Sequence, residues 1–151
     1  RARALLRSGP PGGERAARGL LESAAEDGMP EAAHDLGVLL YSGRGCDGGV
    51  ADNARAAQLF EFAAREGVGK AAHNIGLMLH RGEGVHQDKA RAAEFFELAA
   101  EQGIAKSAVY LGVMLETGDG VRSDLARARQ LYAMAEAASA TGAGEAHSGR
   151  E

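Results

Sequence analysis

The sequence predicts an all-α solenoid built from helix pairs, and three observations carry that reading. One block recurs three times. It reads first as Ala33-x-x-Leu36-Gly37-x-x-Leu40, Gly43-Arg44-Gly45 and Ala56-x-x-x-Phe60-x-x-Ala63-Ala64-x-x-Gly67. It returns as Ala72-x-x-Ile75-Gly76-x-x-Leu79, Gly82-Glu83-Gly84 and Ala92-x-x-x-Phe96-x-x-Ala99-Ala100-x-x-Gly103. The third copy is Ala108-x-x-Leu111-Gly112-x-x-Leu115, Gly118-Asp119-Gly120 and Ala128-x-x-x-Tyr132-x-x-Ala135. The apolar positions of each block recur at three- and four-residue steps, the spacing of one helix face. The composition is Ala-rich, with three prolines and no tryptophan, which favours closely packed helices. Fixed-period repeats stack on their neighbours into an elongated surface, and such surfaces mostly bind proteins.

The elements follow in chain order. Residues 1–13 are expected to be a linker or a processed N-terminal segment. The chain starts at Arg1 rather than Met, and Arg1 to Ser8 contains no acid. That stretch reads either as the remnant of an Arg-rich organelle-targeting segment or as an ordinary linker. Ser8-Gly-Pro-Pro-Gly-Gly13 is a cluster of helix breakers.

The solenoid is expected over 14–139, with repeats at about 29–67, 68–103 and 104–139. A half-repeat leads it: Leu20-Leu21-x-x-Ala24-Ala25-x-x-Gly28 matches Leu59-Phe60-x-x-Ala63-Ala64-x-x-Gly67. Each full repeat holds a helix A, predicted over 30–42, 69–81 and 105–117, and a helix B, predicted over 52–66, 88–102 and 123–138. Pro30 suits the first helical position, where its missing N–H costs nothing. Gly37, Gly76 and Gly112 fall inside helix A, where glycine costs about 1 kcal/mol relative to alanine. Close approach of a neighbouring helix backbone is the expected reason. Asp52, Asp88 and Asp124 stand where an N-cap belongs, and Gly67 and Gly103 stand just past the end of helix B.

Gly76 and Gly112 lie 36 positions apart, as do Gly67 and Gly103, whereas Gly37 and Gly76 lie 39 apart. The three extra residues therefore fall between Gly45 and Asp52, in a connection, where insertions are tolerated. In the last copy Glu136 replaces the Ala100-type residue and Ser139 replaces the Gly103-type residue, as suits a polar capping end. Residues 140–151 are expected to form a flexible tail.

These residues resemble the Sel-one-like repeat family, a sister of the tetratricopeptide repeat. The features that carry the resemblance are L-G-x-x-L in helix A, a long connection bearing G-x-G-V, and a helix B that ends in A-A-x-x-G. It covers about 29–139 well and 14–28 in part. Copy 1 departs at Cys46, where the family's loop has Val, and by its insertion; copy 3 departs at Arg129 and Glu136, where small residues are usual. The resemblance implies a right-handed superhelix of antiparallel helix pairs. It further implies a non-catalytic protein–protein interaction module acting as adaptor or scaffold.

If Ala33, Leu36, Gly37 and Leu40 face the core, the opposite face of helix A is free. Steps of three and four select Glu31, His34, Val38 and Tyr41 in the first repeat. The equivalents are Lys70, His73, Leu77 and His80, then Lys106, Val109, Val113 and Glu116. In tetratricopeptide-like solenoids this face lines the concave groove. Val38, Leu77 and Val113 would run down it as an apolar strip with polar flanks, the mark of an interaction site.

Other functions find little support. The net charge of −4 argues against a nucleic-acid partner, which wants a basic stripe. No apolar run approaches the ~20 residues of a membrane span. Cys46 is the single cysteine, so no internal disulfide forms and a disulfide-stapled secreted scaffold is excluded. An intracellular or organellar setting is expected over a secreted one. His73 and His80 lie about 10 Å apart along one helix, too far for one zinc, and no metal-ligand motif is present. The G-x-G turns lack a phosphate-loop pattern. No metal, cofactor or catalytic group is assigned, and the chain is expected not to be an enzyme. The partner is expected to be a protein of unknown identity. The alternative role is a permanent accessory subunit of a large multiprotein complex, an organellar one included.

Overall fold

The computed structural model describes residues 12–44 and 51–148. Among them are seven α-helices and no strand: α1 (Gly13–Glu26), α2 (Pro30–Ser42), α3 (Asn53–Arg65), α4 (Gly69–Arg81), α5 (Lys89–Glu101), α6 (Ala105–Thr117) and α7 (Leu125–Ser148). Each packs against its neighbours in sequence. The architecture is an all-α solenoid of helical repeats: three pairs, α2/α3, α4/α5 and α6/α7, preceded by the single helix α1. The expected linker through residue 11, together with Gly45, Cys46 and the rest of the insertion through Val50, lies outside the described residues.

The sequence signals act locally as physical chemistry requires. Helices α2, α4 and α6 span the predicted 30–42, 69–81 and 105–117. Pro30 opens α2 at its first position. The side chains of Asp52, Asp88 and Asp124 accept from the backbone N–H of Arg55, Arg91 and Arg127 at 3.1, 3.1 and 3.0 Å. Each cap satisfies one donor that the helix leaves orphaned. The backbone N–H of those aspartates donates to Leu40, Leu79 and Leu115 at 2.8, 2.9 and 2.9 Å, tying each helix B to the end of its own helix A. Helices α3 and α5 end in Schellman turns. Gly67, at φ 99°, donates to Ala64, and Val68 donates to Ala63; the left-handed turn frees the chain to start the next helix A.

Helix α7 differs. It continues to Ser148, so 140–148, expected as a flexible tail, prolongs the helix. Ser139 stands where Gly67 and Gly103 terminate α3 and α5. Without a glycine at that position the helix does not turn out, and it continues past Gly142 and Gly144 to Ser148.

The core sits between the two helix layers and is small-on-large: fully buried alanines such as Ala33, Ala63, Ala72 and Ala99 interleave with Leu36, Phe60, Ile75 and Phe96. The mid-helix glycines are notches in this core. A Cβ on Gly37 would lie 2.7 Å from the Phe60 ring, one on Gly76 2.7 Å from Phe96, and one on Gly112 2.6 Å from Tyr132. The close neighbour is thus an aromatic side chain of helix B, not the helix backbone that the sequence suggests. Repeats are joined to each other at two further places. The Gly84 turn rests on α3, where a Cβ would meet the Asn53 carbonyl carbon at 2.6 Å, and the Gly120 turn rests on Lys89 in the same way. On the outer surface Arg55 pairs with Glu22 at 3.3 Å and Arg91 with Glu61 at 2.6 Å, and Arg127 pairs with Glu97. These half-exposed pairs each contribute about 0.2–1 kcal/mol and repeat once per junction.

Gly76→Ala should therefore destabilise the chain, by up to about 2 kcal/mol. Overpacking costs about 1–3 kcal/mol, and the gain in helix propensity offsets about 1 kcal/mol of it. Gly19→Ala, at an exposed helical site where a Cβ meets nothing within 4 Å, should stabilise by about 0.5–1 kcal/mol. Urea unfolding of both variants checks this; equal effects would refute the notch.

Candidate functional site

The outer row of helix A is where the sequence places the binding surface. The fold separates its members into three kinds. Val38 is 42% exposed, Val109 43% and Val113 47%, and Tyr41 is exposed beside them. Glu31, Lys70, Lys106 and Glu116 are also exposed, at the two ends of the row. His73, Leu77 and His80 are half-buried. His34 departs from the expected free face: it is only 8% exposed. Its ring lies 5.8 Å from that of Phe60, Asn74 Nδ2 donates to its Nε2 at 3.4 Å, and its Nδ1 faces Asp35 Oδ1 at 3.2 Å. The helix A of the next repeat covers it.

That cover recurs. In the next repeat Ser107 and the His73 Nδ1 share a hydrogen bond of 2.7 Å, and the Tyr110 ring packs 5.9 Å from the His73 ring. At the other end of the row Tyr41 Oη donates to Glu83 at 2.6 Å. The equivalent pair one repeat on is His80 Nε2 with Asp119 Oδ2 at 3.2 Å, where Lys89 Nζ adds a contact of 2.6 Å to the same carboxylate. A residue on the row thus reaches across to the next repeat at both ends. Glu83, Asp119, Asn74, Ser107 and Tyr110 lie off the predicted row and were not legible as part of the face. Their signal is the repeat alignment itself, which sets Tyr41 against His80 and Glu83 against Asp119.

Between α2 and α4 these contacts leave a cleft of about 170 Å³. Val38, Tyr41 and Leu77 form its rim, Phe60 and Met78 lie within, and Asn74 and Glu83 close its sides. Its lining is chiefly apolar. Val38 and Leu77 of the apolar strip line it.

The electrostatics follow from these partners. The bond to Glu83, burial and the Glu83 charge hold the Tyr41 hydroxyl above its ordinary 10.0. Hydrogen bonds from Lys89 and His80 hold Asp119 below the usual carboxylate value. Burial first, then the charges of Lys106 and Arg81, hold His73 below 6.5. Among the described residues no three His, Cys, Asp or Glu side chains gather as a metal site, and no helix is long and apolar enough to cross a membrane. The face offers apolar area, hydrogen-bonding edges and charge. These are the means of recognition rather than of bond-making.

The His73 shift carries a sign that can be tested. Unfolded, the imidazole binds a proton near 6.5; folded, it does so at lower pH. Its neutral form favours the fold, so that contribution is complete above the unfolded value and is lost as pH falls from 6.5 through the folded pKa. The urea midpoint should fall on acidification from about pH 7.5 to 5, and His73→Gln should flatten that part of the slope. In an NMR titration Lys106→Gln should move the His73 pKa upward, because it removes one of the opposing charges; an unmoved value would refute the assigned cause.

Comparison with known proteins now bears on this geometry. The Sel1 repeat model matches residues 7–29, 30–68, 69–104 and 105–139, in the register of the helix pairs. No curated protein matches the chain. Among solved structures it is similar to a Sel1 repeat protein from Oxalobacter formigenes, with a TM-score of 0.73 and 27% identity over 80% of this chain and 49% of that one. It is also similar to c5321, a protective antigen of uropathogenic Escherichia coli strains displaying an SLR fold. There the TM-score is 0.72 and the identity 37%, over 80% of this chain and 25% of that one. The chain thus spans about half and a quarter of those two proteins. Sel1 repeat proteins generally mediate protein–protein interaction and are generally non-catalytic. With its matches tiling the solenoid from end to end, the chain belongs to the Sel1 repeat family.

Proposed function

We propose that the chain is a non-catalytic adaptor or scaffold that takes a protein partner along the helix-A row, with that row on the concave side of the solenoid. The observation that supports this most is where apolar surface stays exposed. Of nine exposed large apolar residues among those described, four (Val38, Tyr41, Val109 and Val113) lie on this row. The half-buried Leu77 of α4 joins them in register. A solenoid that needed only to fold would bury or replace this strip, as it buries Leu36, Ile75 and Leu111 one face away. An aligned exposed apolar strip with polar flanks fits a partner interface.

The test uses peptides selected on the native chain from a random library displayed on phage. The double variant Val38→Asp and Val113→Asp places charge on the strip at exposed sites, where substitutions shift stability by only about 0.5 kcal/mol. Selected peptides should bind it at least ~10-fold more weakly, about 1.4 kcal/mol, with an unchanged thermal midpoint. Full retention of binding would place the partner surface elsewhere.

A further inference from the structure

The two junctions between successive helices A share one frame and differ at one ring. At the second junction three rings cluster. His73 and Phe96 centroids lie 6.0 Å apart, and the Tyr110 ring stacks on Phe96 at 5.4 Å with an interplanar angle of 15°. At the first junction His34 and Phe60 take the equivalent places, 5.8 Å apart and tilted by 47°, against 50° for His73 and Phe96. The residue equivalent to Tyr110 is Asn74. Its short side chain ends against His34 and carries no ring to lay on Phe60. The cleft of about 170 Å³ opens at that place. A cavity of about 150 Å³ lined by aliphatic and aromatic side chains is large enough for benzene.

We propose that this cleft is the docking pocket for one aromatic side chain of the protein partner, which packs against Val38, Tyr41 and Leu77 in the place that Tyr110 fills at the second junction, with the buried Phe60 as its floor. The proposal rests on the reading of the helix-A row as the binding face, and it names the chemistry that the face selects. The charges add a second feature. Acids near the cleft and along the loop end of the row are engaged within the chain: Glu83 by Tyr41, Asp119 by Lys89 and His80, and Glu116 by Tyr132. Lys70 and Lys106 are exposed and have no ion pair among the described residues. Both stand in the first turn of a helix, where a cation opposes the macrodipole. Lys70 precedes Asn74 by one turn, about 6 Å along α4. In an extended segment that is the reach of two residues. The partner segment is therefore an aromatic residue with a carboxylate two positions away.

The probes are N-acetyl-phenylalaninamide and the acetylated, amidated tripeptide Phe-Ala-Asp, titrated into the chain with the Val and Leu methyls observed by NMR. Ring-current shifts are expected at Val38 and Leu77, with a dissociation constant on the order of 1–10 mM for the amide. At low salt the tripeptide should bind about 3-fold more tightly, and Lys70→Gln should abolish that advantage. Asn74→Tyr supplies the missing ring from within, as the second junction does, and should remove the shifts with helicity intact. Absent shifts in the native chain, or shifts that persist in folded Asn74→Tyr, overturn the aromatic pocket. If Asn74→Tyr leaves the selected phage peptides bound while Val38→Asp/Val113→Asp releases them, the pocket falls and the face stands. If neither variant affects them, both fall.

Discussion

The contact on which the structure depends is an aromatic ring seated in a glycine notch. Phe60, Phe96 and Tyr132 of helix B each lie where a Cβ on Gly37, Gly76 or Gly112 would stand within 2.6–2.7 Å of the ring. The glycine costs about 1 kcal/mol of helix propensity. Burying the ring more than offsets this, since fully removing a Phe side chain from water contributes about 1.5–3 kcal/mol. The notch does more than stabilise. It sets how near helix B approaches and at what height along helix A, so both the crossing and the register of each pair are fixed at one point. The outer row of helix A points away from that point, and its direction is inherited from it.

Repeats must then be held to each other, and the devices used here shape the face. The Gly84 and Gly120 turns rest on the start of the preceding helix B, while the side chains between the turn glycines, Glu83 and Asp119, reach back to Tyr41 and His80. Those acids are consumed in building the stack. Exposed contacts of this kind contribute little energy one at a time, but each occurs at both junctions between full repeats and so fixes the rotation of one pair on the next. The by-product is electrostatic: in a chain of net charge −4, Glu83 and Asp119 beside the row are already partnered, while Lys70 and Lys106 on it have no ion pair among the described residues.

Most of the fold was legible because its signals are local. A helix start shows as Asp at the cap and a helix end as glycine in the left-handed turn. Both depend on residues within one turn of each other. The starts of α3, α5 and α7 follow from the first signal, and the ends of α2, α4 and α6, at Gly43, Gly82 and Gly118, from the second. The same logic marks its own failure at Ser139, where a missing stop signal let α7 run on. Contacts between elements were less legible. The periodicity that put Gly76 on the core face could not name Phe96 as its neighbour, because the pairing depends on where helix B lands. The spacing that puts Val38 on the free face puts His34 there as well, yet Val38 is 42% exposed and His34 8%. A helix face is wide, and how much of it the next repeat covers is set by the packing distance, not by sequence period.

Asn74 is the clearest case of what a repeat pattern hides. Read as a copy, it is one more polar residue off the apolar stripe; only when the two junctions are superposed does it mark a ring that one has and the other lacks. In a solenoid, positions that are the same in every copy, such as the notched glycines and the capping aspartates, are explained by the stack. They therefore cannot distinguish one partner from another. Discrimination has to come from positions where the copies disagree while the frame around them does not. Asn74 against Tyr110 is such a position, and so is Glu31 against Lys70 and Lys106. The second lies on the row of helix A and the first beside it, where Asn74 reaches only His34 while Tyr110 covers both His73 and Phe96.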